Sequence, residues 1–346
     1  MATTFKNFLS NDLANTRTLL HEAIPVTGSI VSGTYLEGTT ETNIKEYGHG
    51  MFQSIYDYPH LSSSANHILD VTFGYHTDSA LRLAGLTANT QDSKKQNIYN
   101  QMAQVLVGYD TTGSIKHFTS SEGIEINDAI FINFARLLTK DELKKGSFTI
   151  DLYTGSTVAT VKAPNTITDT SGASGYRVDS PAGEYGYLYS ADGYERGILY
   201  YQAGIAILSG GSVFDGAFGN GGGITEAEAE DSTSFATLAT ASTISAVASG
   251  LRNRLNNLSF NNTTELNSTI YFCRVNHNDF NYSSNPTYLT GSKLRVKTMA
   301  ADAPVSYLTT VGLYSADNEL LAVAKLSEPL RKSSDIELTL RVRLDY

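Results

Sequence analysis

Ser306-Tyr-Leu-Thr-Thr-Val-Gly-Leu-Tyr-Ser-Ala-Asp-Asn-Glu-Leu-Leu-Ala-Val-Ala-Lys-Leu-Ser-Glu-Pro329, with Ile336-Glu-Leu-Thr-Leu-Arg-Val-Arg-Leu-Asp-Tyr346 after it, is the stretch that decides the fold class. Two β-rich runs flank Asp317-Asn318, a dipeptide that tolerates the positive φ of a tight hairpin. The last run sets Ile336, Leu338, Leu340, Val342 and Leu344 against Glu337, Thr339, Arg341, Arg343 and Asp345. Period two predicts a strand with one dry and one charged face. Its expected partner is the strand over 320–326, in one sheet, with the dry face turned to a helix over 244–258. A terminal strand of this kind is either locked into its own sheet or open to a neighbouring subunit.

Upstream, alternation predicts strands over 66–75 and 147–153. Another is expected over 157–162, and a long hairpin joins 185–190 to 197–208 through Asp192-Gly193. The chain echoes itself here, since Leu188-Tyr-Ser-Ala-Asp-Gly193 matches Leu313-Tyr-Ser-Ala-Asp-Asn318. A shared hairpin solution is expected at the two places.

Helical periodicity predicts four segments. Residues 16–22 form a weak one, stopped before Pro25. Residues 94–107 place Ile98, Met102, Val105 and Leu106 on one side, with Gly108 as a left-handed stop. Residues 128–138 are apolar on most sides, and Thr139-Lys-Asp-Glu142 after them reads as a capping box. The short helix it opens would end at Lys144-Lys145 and Gly146. Residues 242–258 carry Ile244, Val247, Leu251, Leu255 and Leu258 at steps of three or four, with an earlier start at Glu226 open. The class is α+β: strand-rich, with antiparallel sheets and a few packed helices. Three parts are expected: 1–146, mixed α/β; 147–223, strand-rich and ending in the glycine-rich seam of 210–223; and 224–346, a helix plus antiparallel sheet.

Composition narrows the function. Charged residues are 17% of the 346, against about a quarter in an ordinary soluble protein, while Tyr numbers 21 and Gly 29. Neutral surfaces rich in Tyr suit permanent interfaces. The net charge is −10 and no basic block occurs, so direct nucleic-acid binding is not expected. No run reaches the roughly 18 apolar residues of a membrane span. The N-terminal residues lack the charged and apolar regions of a secretion signal. The lone Cys273 lies in the apolar run Ile270-Tyr-Phe-Cys-Arg-Val275 and reads as a small core residue.

Three stretches carry a resemblance. They are the C-terminal segment above, Phe280-Asn-Tyr-Ser-Ser-Asn-Pro-Thr287, and Gly50-Met-Phe-Gln-Ser-Ile-Tyr-Asp-Tyr-Pro59 with Leu61-Ser-Ser-Ser-Ala-Asn-His67. Spanning about residue 16 to the end, they resemble virion structural proteins of tailed phages, with greatest similarity to the large contractile-tailed phages (myoviruses) of marine cyanobacteria. The resemblance implies a bacteriophage particle component, assembled in the host cytoplasm. Hairpins of the Gly-Leu-Tyr-Asx type followed by Leu-Ala-Val-Ala also occur in proteins attached to phage baseplates, which implies the tail.

Chemical motifs are not found. The seam follows an apolar strand but lacks Gly-Lys-Ser/Thr, and Glu226, Glu228, Glu230 and Asp231 after it would repel a phosphate. His60, His67 and His76 come nearest to a cluster, yet their spacing matches no usual ligand set, so neither metal nor cofactor is expected. Asp57 and Asp70 near them read as turn and strand-end carboxylates. No Gly-x-Ser-x-Gly elbow is present, and the absence of Trp weighs against an extended sugar-binding cleft. In the loop before Pro286, Asn281 and Asn285 fix the backbone while Phe280, Tyr282 and Tyr288 offer aromatic area. These six residues, with Arg341 and Arg343 on the charged face of the last strand, are the candidate interface.

The resulting expectation is a non-catalytic structural component of the tail, in the baseplate or neck region. It would contact other virion proteins and itself in a symmetric oligomer. The alternatives are a fibre-attachment or host-recognition protein, a capsid decoration protein, or a tail-associated glycan hydrolase.

Overall fold

Residues 129–134 read Ala-Ile-Phe-Ile-Asn-Phe, and all but Asn133 are buried. Consecutive buried side chains fit a strand covered on both faces, and a strand is what they form, not the helix expected over 128–138. The computed structural model describes residues 5–30, 42–83, 89–153, 164–210, 235–281, 289–290, 293–294 and 305–346.

The strands are β1 (Leu13–Ile24), β2 (Ile44–Glu46), β3 (Gln53–Tyr56), β4 (His67–Tyr75), β5 (Phe118–Thr119), β6 (Glu125–Ile126), β7 (Asp128–Phe134), β8 (Glu142–Leu143), β9 (Thr149–Tyr153) and β10 (Pro164–Thr168). They continue with β11 (Tyr185–Ser190), β12 (Glu195–Tyr200), β13 (Ile205–Ser209), β14 (Leu255–Val275), β15 (Leu289–Thr290), β16 (Lys293–Leu294), β17 (Val305–Tyr314), β18 (Leu320–Ser333) and β19 (Leu338–Asp345). The helices are α1 (Ala80–Leu83), α2 (Asp92–Leu106), α3 (Arg136–Thr139), α4 (Gly172–Gly175), α5 (Phe235–Ala241) and α6 (Ile244–Arg254). The chain is α+β and strand-rich, with antiparallel sheets.

Two compact units divide it. The larger, residues 20–264, is built on one antiparallel sheet in the order β14-β9-β10-β11-β12-β13-β7-β4-β3-β2. Helices α2 and α6 both pack on β4. The approach of α2 is close because Gly74 has no side chain: a Cβ there would lie 2.7 Å from the Lys95 carbonyl oxygen and the Tyr99 nitrogen. Lys95 is fully buried, and its Nζ donates to the carbonyls of Ala239 (2.6 Å) and Ser242 (2.9 Å). The ammonium thereby closes the C-terminal end of α5. On α6, Ile244, Val247 and Leu251 are buried as the periodicity predicts, and the Thr243 hydroxyl accepts the Ala246 N–H as an N-cap.

The smaller unit comprises residues 1–19 and 265–346. Here β14 pairs with β19 from Ser268↔Asp345 to Val275↔Leu338. Strands β17 and β18 make a two-stranded sheet of their own. Its register shifts between Leu308↔Leu330 and Thr310↔Lys325, so the segment containing Pro329 bulges where the ladder has no need of its missing N–H.

The echo in the sequence is an echo in geometry. At one turn the Gly193 N–H donates to Ser190 O and the Ser190 N–H to Tyr194 O; at the other the Asn318 N–H donates to Ser315 O and the Ser315 N–H to Glu319 O. Gly193 and Asn318 sit at φ +84° and +63°. Both are left-handed positions that Gly and Asn tolerate best.

Several expectations are corrected. Residues 16–22 are not helical but belong to β1, where the Glu22 N–H donates to Asn262 Oδ1 on the neighbouring β14. The capping box at Thr139-Glu142 opens no helix: the single turn α3 ends there, Lys140 takes φ +55°, and β8 pairs with β14. Leu255 and Leu258 extend the α6 stripe in sequence only, since the chain is already strand and pairs with Leu152 and Ile150. The run 197–208 breaks at residues 201–204, giving β12 and β13. Val105, expected on the buried side of α2, is 65% exposed. The last strand pairs with β14, not with β18. The seam beyond Gly210, and the strand expected over 157–162, lie outside the described residues.

Candidate functional site

The smaller unit holds the residues singled out above. On β19 the alternation is realised: Val342 is buried, Leu338, Leu340 and Leu344 are half-buried, and Thr339, Arg341, Arg343 and Asp345 are exposed. Arg343 does not reach freely into solvent. Its Nε donates to Asp345 Oδ1 (2.7 Å) and its Nη2 to Ser268 Oγ (3.0 Å) across the strand pair. Arg341 is exposed beside it.

Phe280 is 37% exposed and has φ +51°, an unusual position for a bulky residue. It is held by its surroundings: the Ser306 hydroxyl donates to its carbonyl. Asn281 donates its Nδ2 to His277 O (2.8 Å) and accepts from Lys332 Nζ at 2.6 Å. Lys332 is fully buried, and its other protons go to His277 O (3.1 Å) and Ser333 O (2.8 Å). All three donors of the ammonium are therefore used within this loop. Tyr282, Asn285, Pro286 and Tyr288 lie outside the described residues.

Beside Phe280 is a cavity of about 460 Å³, lined among others by Phe5, Phe8, Phe272, Cys273, Leu313 and Leu340. Its polar edge is Arg274, whose Nε and Nη2 lie 2.7 Å and 2.9 Å from the two oxygens of Asp12. The Leu9 N–H and this guanidinium hold the Asp12 carboxyl below the usual carboxylate range. Burial pushes the Cys273 thiol up, which favours its protonated form. Cys273 is half-buried at the cavity wall.

The β17–β18 ribbon exposes a group of large apolar side chains. Tyr307, Tyr314, Leu320, Leu321 and Val323 are all exposed, with Leu321 at 67% and Val323 at 51%. Only Phe5 is in ring contact with Tyr314 among the described residues, edge-on at 5.1 Å. A two-stranded ribbon is marginal in water by itself. This one leaves bare the side chains that would ordinarily be covered.

The larger unit brings a serine, a carboxylate and a histidine together. Ser54, Asp70 and His67 touch, but the carboxylate is in the middle: the Ser54 hydroxyl donates to Asp70 Oδ1 (2.5 Å), which also meets His67 Nε2 at 2.8 Å. A serine nucleophile needs the imidazole between hydroxyl and carboxylate. Asp57 accepts from the Tyr58 and Asn66 N–H groups and from Asn66 Nδ2, closing the 57–66 loop. His60, His67 and His76 do not gather. His60 meets Thr42 O, His67 meets Asp70, and His76 lies against His117 with the ring planes tilted by 55°.

Sequence reasoning missed Lys332, Phe5, Phe8 and the Asp12–Arg274 pair. Their partners are 51 and 262 residues away in sequence for the two polar cases, so no local pattern marks them. No protein-family model matches the chain, and no curated protein or solved structure matches it. No helix among the described residues is long and apolar enough to cross a membrane.

Proposed function

We propose that the chain is a non-catalytic structural subunit of a tailed-phage particle, placed in the tail at the baseplate or neck. It acts through subunit contacts that are individually weak and are repeated by symmetry, so that avidity holds it in place. The observation that carries this reading is the bare β17–β18 ribbon, whose Tyr307, Tyr314, Leu320, Leu321 and Val323 face water in the single chain. Exposed apolar and aromatic side chains on a two-stranded ribbon fit a neighbouring subunit better than solvent. The resemblance to contractile-tailed phage proteins at 50–67, 280–287 and 306–346 gives the kind of particle. Exposed Arg341 and Arg343 supply the polar rim such an interface has.

Mass spectrometry of density-purified virions tests the reading. Recovery of peptides from 305–346 in fixed stoichiometry to other tail proteins is expected. Abundance in infected lysate with absence from the particles would overturn it.

A further inference from the structure

A second constellation lies in the larger unit. His76 follows the last residue of β4, Asp78 is in the turn after it, and His117 precedes β5. One ligand atom from each of the three lies within 4.8 Å of the other two. The imidazole centroids of His76 and His117 are 3.9 Å apart. The His76 Nδ1 to Asp78 Oδ2 distance is 3.3 Å, about the separation of two ligand atoms on a tetrahedral zinc ion with bonds of roughly 2.0–2.1 Å.

His117 Nδ1 is 2.8 Å from Asn127 Oδ1, which can only accept, so Nδ1 carries the proton and Nε2 is left as the donor atom. A ring N–H held by a carbonyl in this manner is the outer partner that metal-bound histidines ordinarily have. The Asp78 N–H donates to His76 Nδ1 at 3.2 Å, so this nitrogen is unprotonated, and an ion bound there would take the place of this long hydrogen bond. The His76 N–H also donates to Asn127 O at 2.7 Å, fixing ligand and outer partner on one backbone frame. Glu125 Oε2 is 3.6 Å from His117 Nδ1, adding a carboxylate on the outer side. Both imidazoles are largely buried, and Asp78 is exposed. One side of the site is thus open for a water or a fourth ligand.

We infer that His76, His117 and Asp78 form a binding site for one divalent transition-metal ion, with Zn²⁺ the best match, and that Asn127 positions His117 for it. Two imidazoles and a single carboxylate favour zinc and its neighbours over calcium or magnesium, which take oxygen ligands. The ion would tie the 108–127 connection to the end of β4, so its effect is on stability.

Tag-free full-length protein, stripped with chelator and dialysed, is titrated with Zn²⁺ and separately with Co²⁺. One equivalent should bind, thermal unfolding should shift upward, and the cobalt form should show the visible absorption of a tetrahedral site. In His117→Gln the binding and the thermal shift should be lost, with the circular dichroism spectrum retained. Asn127→Ala should keep the site but weaken it by about 10–100-fold, whereas His60→Gln should change nothing. Should either variant of the pair fail to fold, His76→Gln and the cobalt spectrum of the native chain still decide. Absence of stoichiometric metal and thermal shift in the native protein overturns the inference. So does equal binding by His117→Gln and His76→Gln, which would place the ion elsewhere.

Discussion

The ammonium of Lys332 lies 2.6 Å from Asn281 Oδ1, in a spot with no exposure to solvent. The end of β18 thereby reaches into the loop after β14 and fixes it from within. Lys332→Met keeps the length of the side chain but leaves Asn281 Oδ1 without its buried donor, while the His277 carbonyl still accepts from Asn281 Nδ2 and the Ser333 carbonyl from the Ile336 N–H. An orphaned group of this kind costs about 1–3 kcal/mol, and we expect a loss of that size in denaturant unfolding. An unchanged midpoint would mean that water replaces the ammonium.

Leu321→Lys and Val323→Lys put charge on the exposed part of the ribbon. The isolated chain should keep its unfolding midpoint within about 0.5 kcal/mol, the usual range for surface changes. Incorporation into particles should fall sharply in a complementation assay read by mass spectrometry. Normal incorporation would remove the ribbon from the interface.

Gly74→Ala introduces a Cβ 2.7 Å from two backbone atoms of α2. Backbone does not give way as a flexible side chain does, so the helix must move off β4. Overpacking of this kind costs about 1–3 kcal/mol or more. Urea denaturation of the variant should show a lower midpoint, and a crystal structure should show α2 displaced.

Asp70, through its bond to Nε2, holds His67 above the ordinary histidine value of 6.5. A group bound more tightly to its proton in the folded state stabilises that state fully below the unfolded value. The contribution is lost as pH rises through the higher folded value. Native protein should therefore lose a step of stability on going from below pH 6.5 upward, and His67→Gln should lack that step. A variant with the same pH profile as the native chain would show that the pair is decoupled.

Removal of residues 338–346 strips β19 from β14 and bares the edge over 268–275. It also takes away Val342, whose burial is worth about 1.5–3 kcal/mol. An open edge of this length is a template for another chain. Sedimentation should show more aggregation for the truncated chain than for the chain of 346 residues.

Where two signals agreed, the fold was legible. β4, β9 and β11 alternate and are bounded by turn residues, and α2 has both a stripe and the stop at Gly108, which takes φ +87°. The paired turns at Ser190 and Ser315 were legible because Asp-Gly and Asp-Asn demand a left-handed residue. The failures share a cause. β7 is apolar on both faces, and such a run has no period to distinguish strand from helix. β1 and β8 become strands through β14, a partner more than a hundred residues distant, and no local preference reports that. The interface candidates were found by aromatic content and alternation. Lys332 was not, because a buried lysine looks like any other until its acceptors are placed around it.

Lys95 and Lys332 are hidden from solvent, and Lys325 on the ribbon is exposed. Acylating reagents that mark accessible amines should therefore pass over the first two and modify the third in the single chain. Inside an assembly the pattern acquires meaning. Silence at Lys332 would reflect the chain's own folding, whereas silence at Lys325 would be the footprint of whatever has settled on the ribbon.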